Sequence, residues 1–324
     1  MSFELIATST SSSADDQQPL WGDQQKEVDI IVSITDELGN CEASLRESLR
    51  KNDELALSHL RETLKLTDDS AWSENRSEFD QHGRLTYLKL YSLNMSVLPT
   101  VVRYLTRLNK LYLSGNRLTS VPAELGQLVN LKMLFMGDNQ LTSVPPELGQ
   151  LVNLEDLDLS ENQLTSVPAE LGQLVNLKRL DMTANQLTSV PPELGQLVNL
   201  EELVMNRNDL NDVPSQLGQL NKLTQLDMSG NQLTSVPVDL GKLEALNGLF
   251  ISCNKLTSVP AELGKLVNLT ELDLSENQLT SVPAELGQLV NLEDLDLRDN
   301  QLTSVPPELR QLVNSSGVVV LAFP

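Results

Sequence analysis

From Leu85 to Pro306 the apolar positions recur with one fixed step. Leucine opens the pattern L-x-x-L-x-L-x-x-N-x-L at Leu85, Leu108, Leu131, Leu154, Leu177, Leu200, Leu223, Leu246, Leu269 and Leu292, each 23 residues after the last and with no insertion. Inside a unit, Leu157 and Leu159 alternate with Asp156, Asp158 and Ser160. That is the period of a strand, with the leucines inward and the polar residues outward. The second half of a unit, for example Val167 to Leu174, spaces its leucines three apart. This predicts a short helical turn that Pro168 opens, because a missing N–H costs nothing at a first helical position. No unit can bury its leucines alone. Stacked neighbours build one continuous core and a parallel sheet on the inner curve. Ten units fit, and an eleventh begins near Ser315. About eleven strands at roughly 4.8 Å spacing give an inner surface about 50 Å long.

Two further columns read as structural. Asn116, Asn139, Asn162, Asn185, Asn208, Asn231, Asn254, Asn277 and Asn300 share one position. A buried asparagine ladder satisfies backbone groups in the turns after each strand. In the first unit that place falls to Leu93, which predicts an irregular first coil. Gly126, Gly149, Gly172 and their equivalents fall on the convex side, where they permit a tight backbone path. Arg103 and Arg310 replace them in the terminal units.

The unit L-x-x-L-x-L-x-x-N-x-L-x-x-V-P-x-x-L-x-x-L resembles the leucine-rich repeat, and within it the intracellular 23-residue class. That class includes the plant intracellular Ras-group leucine-rich-repeat proteins and the animal Ras-binding scaffold. Val-Pro stands here where Leu-Pro is usual. The resemblance implies an α/β leucine-rich-repeat solenoid and a non-enzymatic signalling scaffold. It implies a concave face that grips a protein, a small GTPase or another signalling protein. Trp72 followed by Gly83-Arg84-Leu85-Thr86-Tyr87-Leu88-Lys89-Leu90 is loosely similar to the lead-in of plant-type repeats. The paired cysteines often found there are absent. The fourth and ninth units are nearly identical, which suggests recent duplication and loosens any transfer of a specific partner.

Ahead of the repeats, residues 1–22 are a Ser-rich tail read as disordered. Residues 23–70 read as a short helical N-terminal segment, with 71–84 as lead-in. Val28, Ile31, Ile34 and Leu38 lie on one helix face, which Gly39 ends. Leu45 and Leu49 begin a second stripe that continues through Ala56, Leu60 and Leu64, with a break at Asn52-Asp53. Such a stripe suits a cap over the first coil or an interaction module; about 45 residues cannot build much of an independent core. The repeats occupy 85–314, and 315–324, with Val318 to Phe323, reads as a closing strand.

Charge narrows the partners. The net charge is −22. So acidic a surface argues against nucleic acid and against anionic membranes. Cys41 and Cys253 lie in different modules, and disulfide-bonded end caps are missing, which favours a reducing, cytoplasmic setting. The N-terminus is a poor signal peptide, and no apolar run approaches a membrane span. His59 and His82 are the two histidines, and neither has metal-ligand spacing. No nucleophile motif or phosphate loop is visible, so no catalytic residue, cofactor or metal is expected.

The outward strand positions vary most between units. One column reads Lys89, Tyr112, Phe135, Asp158, Asp181, Val204, Asp227, Phe250, Asp273 and Asp296, and flanking columns add Tyr87, Tyr91 and Met133. Tyr87, Tyr91, Tyr112, Met133 and Phe135 are expected to form one exposed patch on the N-terminal third of the concave face. Exposed apolar patches mark interaction sites. The competing reading is that the N-terminal helices cover the patch. Asp158, Val204 and Phe250 extend the candidate surface, and Arg179 and Arg207, beside Glu201 and Glu202, supply a charged flank. Two other roles fit the same surface: a regulatory or inhibitory subunit of an enzyme of phosphatase type, and the recognition subunit of a ligase or immune complex. Oligomeric state is not legible.

Overall fold

The structure is a computed structural model, and residues 53–64, 76–309 and 319–321 are described here. The chain divides into two compact units, Met1–Arg46 and Glu47–Pro324, and all described residues belong to the second. The Ser-rich tail, the helix expected over 23–38, Cys41, Trp72 and Arg310 lie outside the described residues.

The 23-residue pattern folds into stacked coils, each with a strand on one side and a 3-10 turn on the other. Twelve strands form one sheet in chain order. The eleven from β2 (Leu85–Lys89) to β12 (Val319–Leu321) run parallel. Between them lie β3 (Lys110–Tyr112), β4 (Met133–Phe135), β5 (Asp156–Asp158), β6 (Arg179–Asp181), β7 (Glu202–Val204), β8 (Gln225–Asp227), β9 (Gly248–Phe250), β10 (Glu271–Asp273) and β11 (Asp294–Asp296). Register is the repeat itself, so that Leu134 faces Leu157 and Phe135 faces Asp158. One residue of slip would turn every leucine outward. The fold is therefore the expected leucine-rich-repeat solenoid, curved around its parallel sheet.

The opening leucines are buried, as are Leu88 of β2 and the central leucine of each strand from β3 to β11. So are the leucines of each turn, such as Leu171 and Leu174. The turns are five-residue 3-10 helices, for example Ala169–Gln173. Pro168 stands just before that turn as its N-cap, at φ −70° and ψ 147°, rather than at its first position. Where a second proline follows, Pro146 and Pro192 take the first position.

The asparagine column stitches each coil to the one before. Asn162 Nδ2 donates to the carbonyls of Met136 (3.0 Å) and Leu159 (3.1 Å), and its Oδ1 accepts from the Leu141 N–H at 3.0 Å. A second, exposed ladder escaped the sequence reading. Asn153, Asn176 and Asn199 each donate to the carbonyl of the valine 24 residues earlier. Its signal was present, since each stands directly before an opening leucine. The convex glycines serve packing rather than backbone conformation. A Cβ on Gly172 would stand 2.4 Å from the Glu193 carbonyl oxygen of the next coil. The left-handed conformations fall instead just before the ladder asparagine, at Glu161, Ala184, Arg207 and Cys253 among others.

The first coil is irregular, with Ser92 and Asn94 both at φ 55°. Asn116 of the second coil satisfies the Leu93 and Met95 N–H groups there. Two elements lie at this end of the stack. Strand β1 (Ser77–Phe79) pairs antiparallel with β2, so the sheet gains an edge strand from within the expected lead-in. Helix α1 (Asp53–Thr63) buries Ala56, Leu57 and Leu60 in the same core as the repeats. Asp53 Oδ2 accepts from the Leu85 N–H at 2.7 Å, tying the helix start to the first strand.

Candidate functional site on the sheet face

Strands β2 to β6 carry the candidate surface. Alternation sends Leu88, Leu111, Leu134, Leu157 and Leu180 inward, and their neighbours outward as two columns. One column runs Lys89, Tyr112, Phe135, Asp158, Asp181. The other runs Tyr87, Lys110, Met133, Asp156, Arg179.

Three rings make a run along the face. Tyr112 and Phe135 stack at 4.8 Å between centroids, with planes 24° apart. Tyr87, from the other column, reaches diagonally to Tyr112 at 5.2 Å with planes tilted by 57°. All three are half-buried, as is Met133 between Lys110 and Asp156. The single patch expected to include Tyr91 is not formed. Tyr91 lies beyond the end of β2 and is exposed, with the Arg76 guanidinium 5.0 Å from its ring and no ring contact to the run. The left-handed turn that begins at Ser92 explains its departure from the strand columns.

Cations cluster at the N-terminal end of the rings. Lys89 Nζ sits 4.8 Å from the Tyr87 centroid. Arg76 donates to the Lys89 and Tyr91 carbonyls. Neither Lys89 nor Lys110 forms an ion pair with a carboxylate among the described residues.

Carboxylates cluster at the other end around one arginine. Arg179 meets Asp181 at 2.8 Å, Glu202 at 3.2 Å and Asp156 at 3.8 Å. Asp158 turns back to accept from the Ser160 N–H and hydroxyl at 2.9 and 2.6 Å. Asp156 Oδ1 is shielded from solvent without a hydrogen-bond partner. Burial raises the Asp156 carboxyl above its ordinary range; Arg179 opposes this, while Asp158, Glu202 and Asp181 add to it. The expected grouping of Arg179 and Arg207 with Glu201 and Glu202 is corrected accordingly. Arg179 and Glu202 meet, whereas Arg207 lies past the end of β7 in a left-handed turn, its N–H on the Ser229 carbonyl.

Further along, Val204 lies half-buried between Asp181 and Asp227. Phe250 lies back across Gly248, where a Cβ would come within 2.8 Å of its ring. Cys253 is an exposed free thiol in a left-handed turn. Burial, and then a hydrogen bond with Glu276, push that thiol up and away from the thiolate. No group of His, Cys, Asp and Glu among the described residues is arranged to hold a metal ion. No helix among them is long and apolar enough to cross a membrane.

A stack of 23-residue coils with a variable outer sheet face defines a solenoid repeat protein. The chain belongs to the leucine-rich-repeat family: the model for the leucine-rich repeat region matches residues 58–189 and 169–278, and that for paired leucine-rich repeats matches 267–311. No curated protein matches the chain. Solved structures with the same fold include the repeat ectodomain of the plant membrane receptor kinase GASSHO1/SCHENGEN3 from Arabidopsis thaliana, in complex with CASPARIAN STRIP INTEGRITY FACTOR 2. It is 35% identical with a TM-score of 0.68, over 77% of this chain and 31% of that one. This chain thus spans about a third of that ectodomain. The Arabidopsis receptor kinase HAESA, in complex with the peptide hormone IDA and the co-receptor SERK1, is 26% identical with a TM-score of 0.66, over 75% and 46% of the two chains. A plant ice-binding protein is 29% identical with a TM-score of 0.67, over 79% and 89%. Leucine-rich-repeat proteins are generally non-enzymatic binding scaffolds, and the fold commonly holds protein partners.

Proposed function

We propose that this protein is a cytoplasmic signalling scaffold that holds a protein partner on its concave face, with a small GTPase or another signalling protein as the class of partner. The run Tyr87–Tyr112–Phe135 carries the reading. In a chain with 3% aromatic residues, three rings are placed on the outer side of a sheet whose inner side is filled by leucine. Tyrosine, phenylalanine and methionine are favoured at interface centres, and Tyr112 and Phe135 interrupt a column that otherwise carries mainly aspartate. The two similar receptor kinase structures, each solved with bound partners, are consistent with capture by this fold. The test compares the full chain with Tyr112→Ser/Met133→Ser/Phe135→Ser as bait in lysate and against purified small GTPases. The two proteins are expected to melt alike, with recovery of the partner falling at least tenfold in the variant. Equal recovery by both overturns the assignment of this surface. Recovery of a phosphatase or of a ligase subunit would replace the scaffold with a regulatory or recognition role.

A second reading rests on a different flank. Thr119, Thr142, Thr165, Thr188, Thr234, Thr257, Thr280 and Thr303 are all exposed in one column, broken by Asn211, with a parallel column of serines beside it. Hydroxyls and methyls repeated at the strand spacing suit a repeating solid such as ice, the ligand named for one similar structure. A gap between freezing and melting of a seeded solution would support it, and coincident freezing and melting would remove it.

A further inference from the structure

The cations and carboxylates flanking the ring run are unmatched on opposite sides of it. At β2 and β3, Lys89 and Lys110 have no carboxylate partner among the described residues. At β5 and β6, Asp156 and Asp181, with Glu202 beside them, share the guanidinium of Arg179, while Asp158, beside Asp181 in the register, is hydrogen-bonded to Ser160 and has no cation partner among the described residues. Asp156 Oδ1, 3.8 Å from the Arg179 guanidinium, is left without a hydrogen-bond partner. Between the two lie Tyr112, Phe135 and Met133. A repeat sheet pairs identical positions, so a graded face of this kind comes from the units' departures from their own pattern.

We propose that the concave face takes an extended peptide segment of one charge order. An acidic residue lies over Lys89 and Lys110, an apolar or aromatic residue on Tyr112 and Phe135, and a lysine or arginine at Asp156 and Asp181. The inference rests on the partner-binding reading above and gives its partner a chemistry. Charge complementarity selects this occupant. A uniformly basic segment would meet Lys89 and Lys110, and a uniformly acidic one would meet Asp156, Asp158 and Asp181, in each case with like-charge repulsion. The geometry also sets a spacing. From β2 to β5 is three strand steps, about 14 Å, which an extended chain covers in about four or five residues. The peptide crosses the strands rather than adding to the sheet, so its side chains, not its backbone, carry the recognition.

The probe is a phage-displayed library of random 12-residue peptides, selected on the immobilised full chain. The expected result is enrichment of an apolar or aromatic residue with an acid on one side and a base on the other, the charges four or five residues apart. Against Lys89→Glu/Lys110→Glu the enriched peptides are expected to bind at least tenfold more weakly. Replacing their acid with lysine is expected to restore binding to that variant. Matched melting curves for the variant and the parent exclude unfolding as the cause. Peptides that depend on Tyr112 and Phe135 but carry no such charge order overturn this inference and leave the partner-binding surface standing. Failure to enrich any peptide dependent on those rings overturns the inference and counts against that surface as well.

Discussion

Asn162 contributes more to the fold than its single side chain suggests. Removing it orphans the buried Leu141 N–H, while the Met136 and Leu159 carbonyls lose one of two donors and keep the bonds from Asn139 and Asn185. Each buried group left unpaired costs about 1–3 kcal/mol. Asn162→Ala is therefore expected to lower stability by about 1–3 kcal/mol in urea unfolding, whereas the exposed neighbour change Gln163→Ala is expected to stay within about 0.5 kcal/mol. The ladder was legible because asparagine recurred at one position among leucines. The ring run was legible for the same reason, as Tyr112 and Phe135 broke a column that usually holds aspartate. Tyr91 and Arg207 were misplaced because they stand past the last strand residue. There a left-handed turn redirects the side chain, and at these two sites no glycine gives that turn away.

At the scale of elements, strand and turn were readable from their leucine spacing, and the ends of the stack were not. Ala56 and Leu60 make a stripe that suits a cap or a partner helix equally well, and only the packing of α1 onto the first coil separates them. Strand β1 is three residues long with no alternation to announce it, and its pairing is decided by the open edge of β2. Because each coil of a solenoid touches only its neighbours, damage at an end stays local. Leu60→Ala, which empties a fully buried site, is expected to cost about 2–5 kcal/mol in the first coil. Hydrogen exchange is expected to quicken at the amides of residues 85–105 while those near Leu226 keep their protection. Uniform quickening along the stack would show that α1 is not an end cap in the energetic sense.

For the molecule as a whole, the family and the parallel sheet followed from one repeated spacing, because register and repeat are the same quantity here. The partner did not follow, because a scaffold's specificity lies in the few outward positions that the fold leaves free to vary. The strict period, with no insertion across ten coils, has a mechanical consequence. Each coil that leaves the stack releases 23 residues, about 80 Å of contour, in exchange for one strand step of about 4.8 Å. Stretched from its two ends, such a chain lengthens in equal instalments, one coil or a small whole number of coils at a time. Each coil re-forms on the same leucine and asparagine template. It is a spring whose extension is quantised by its own repeat.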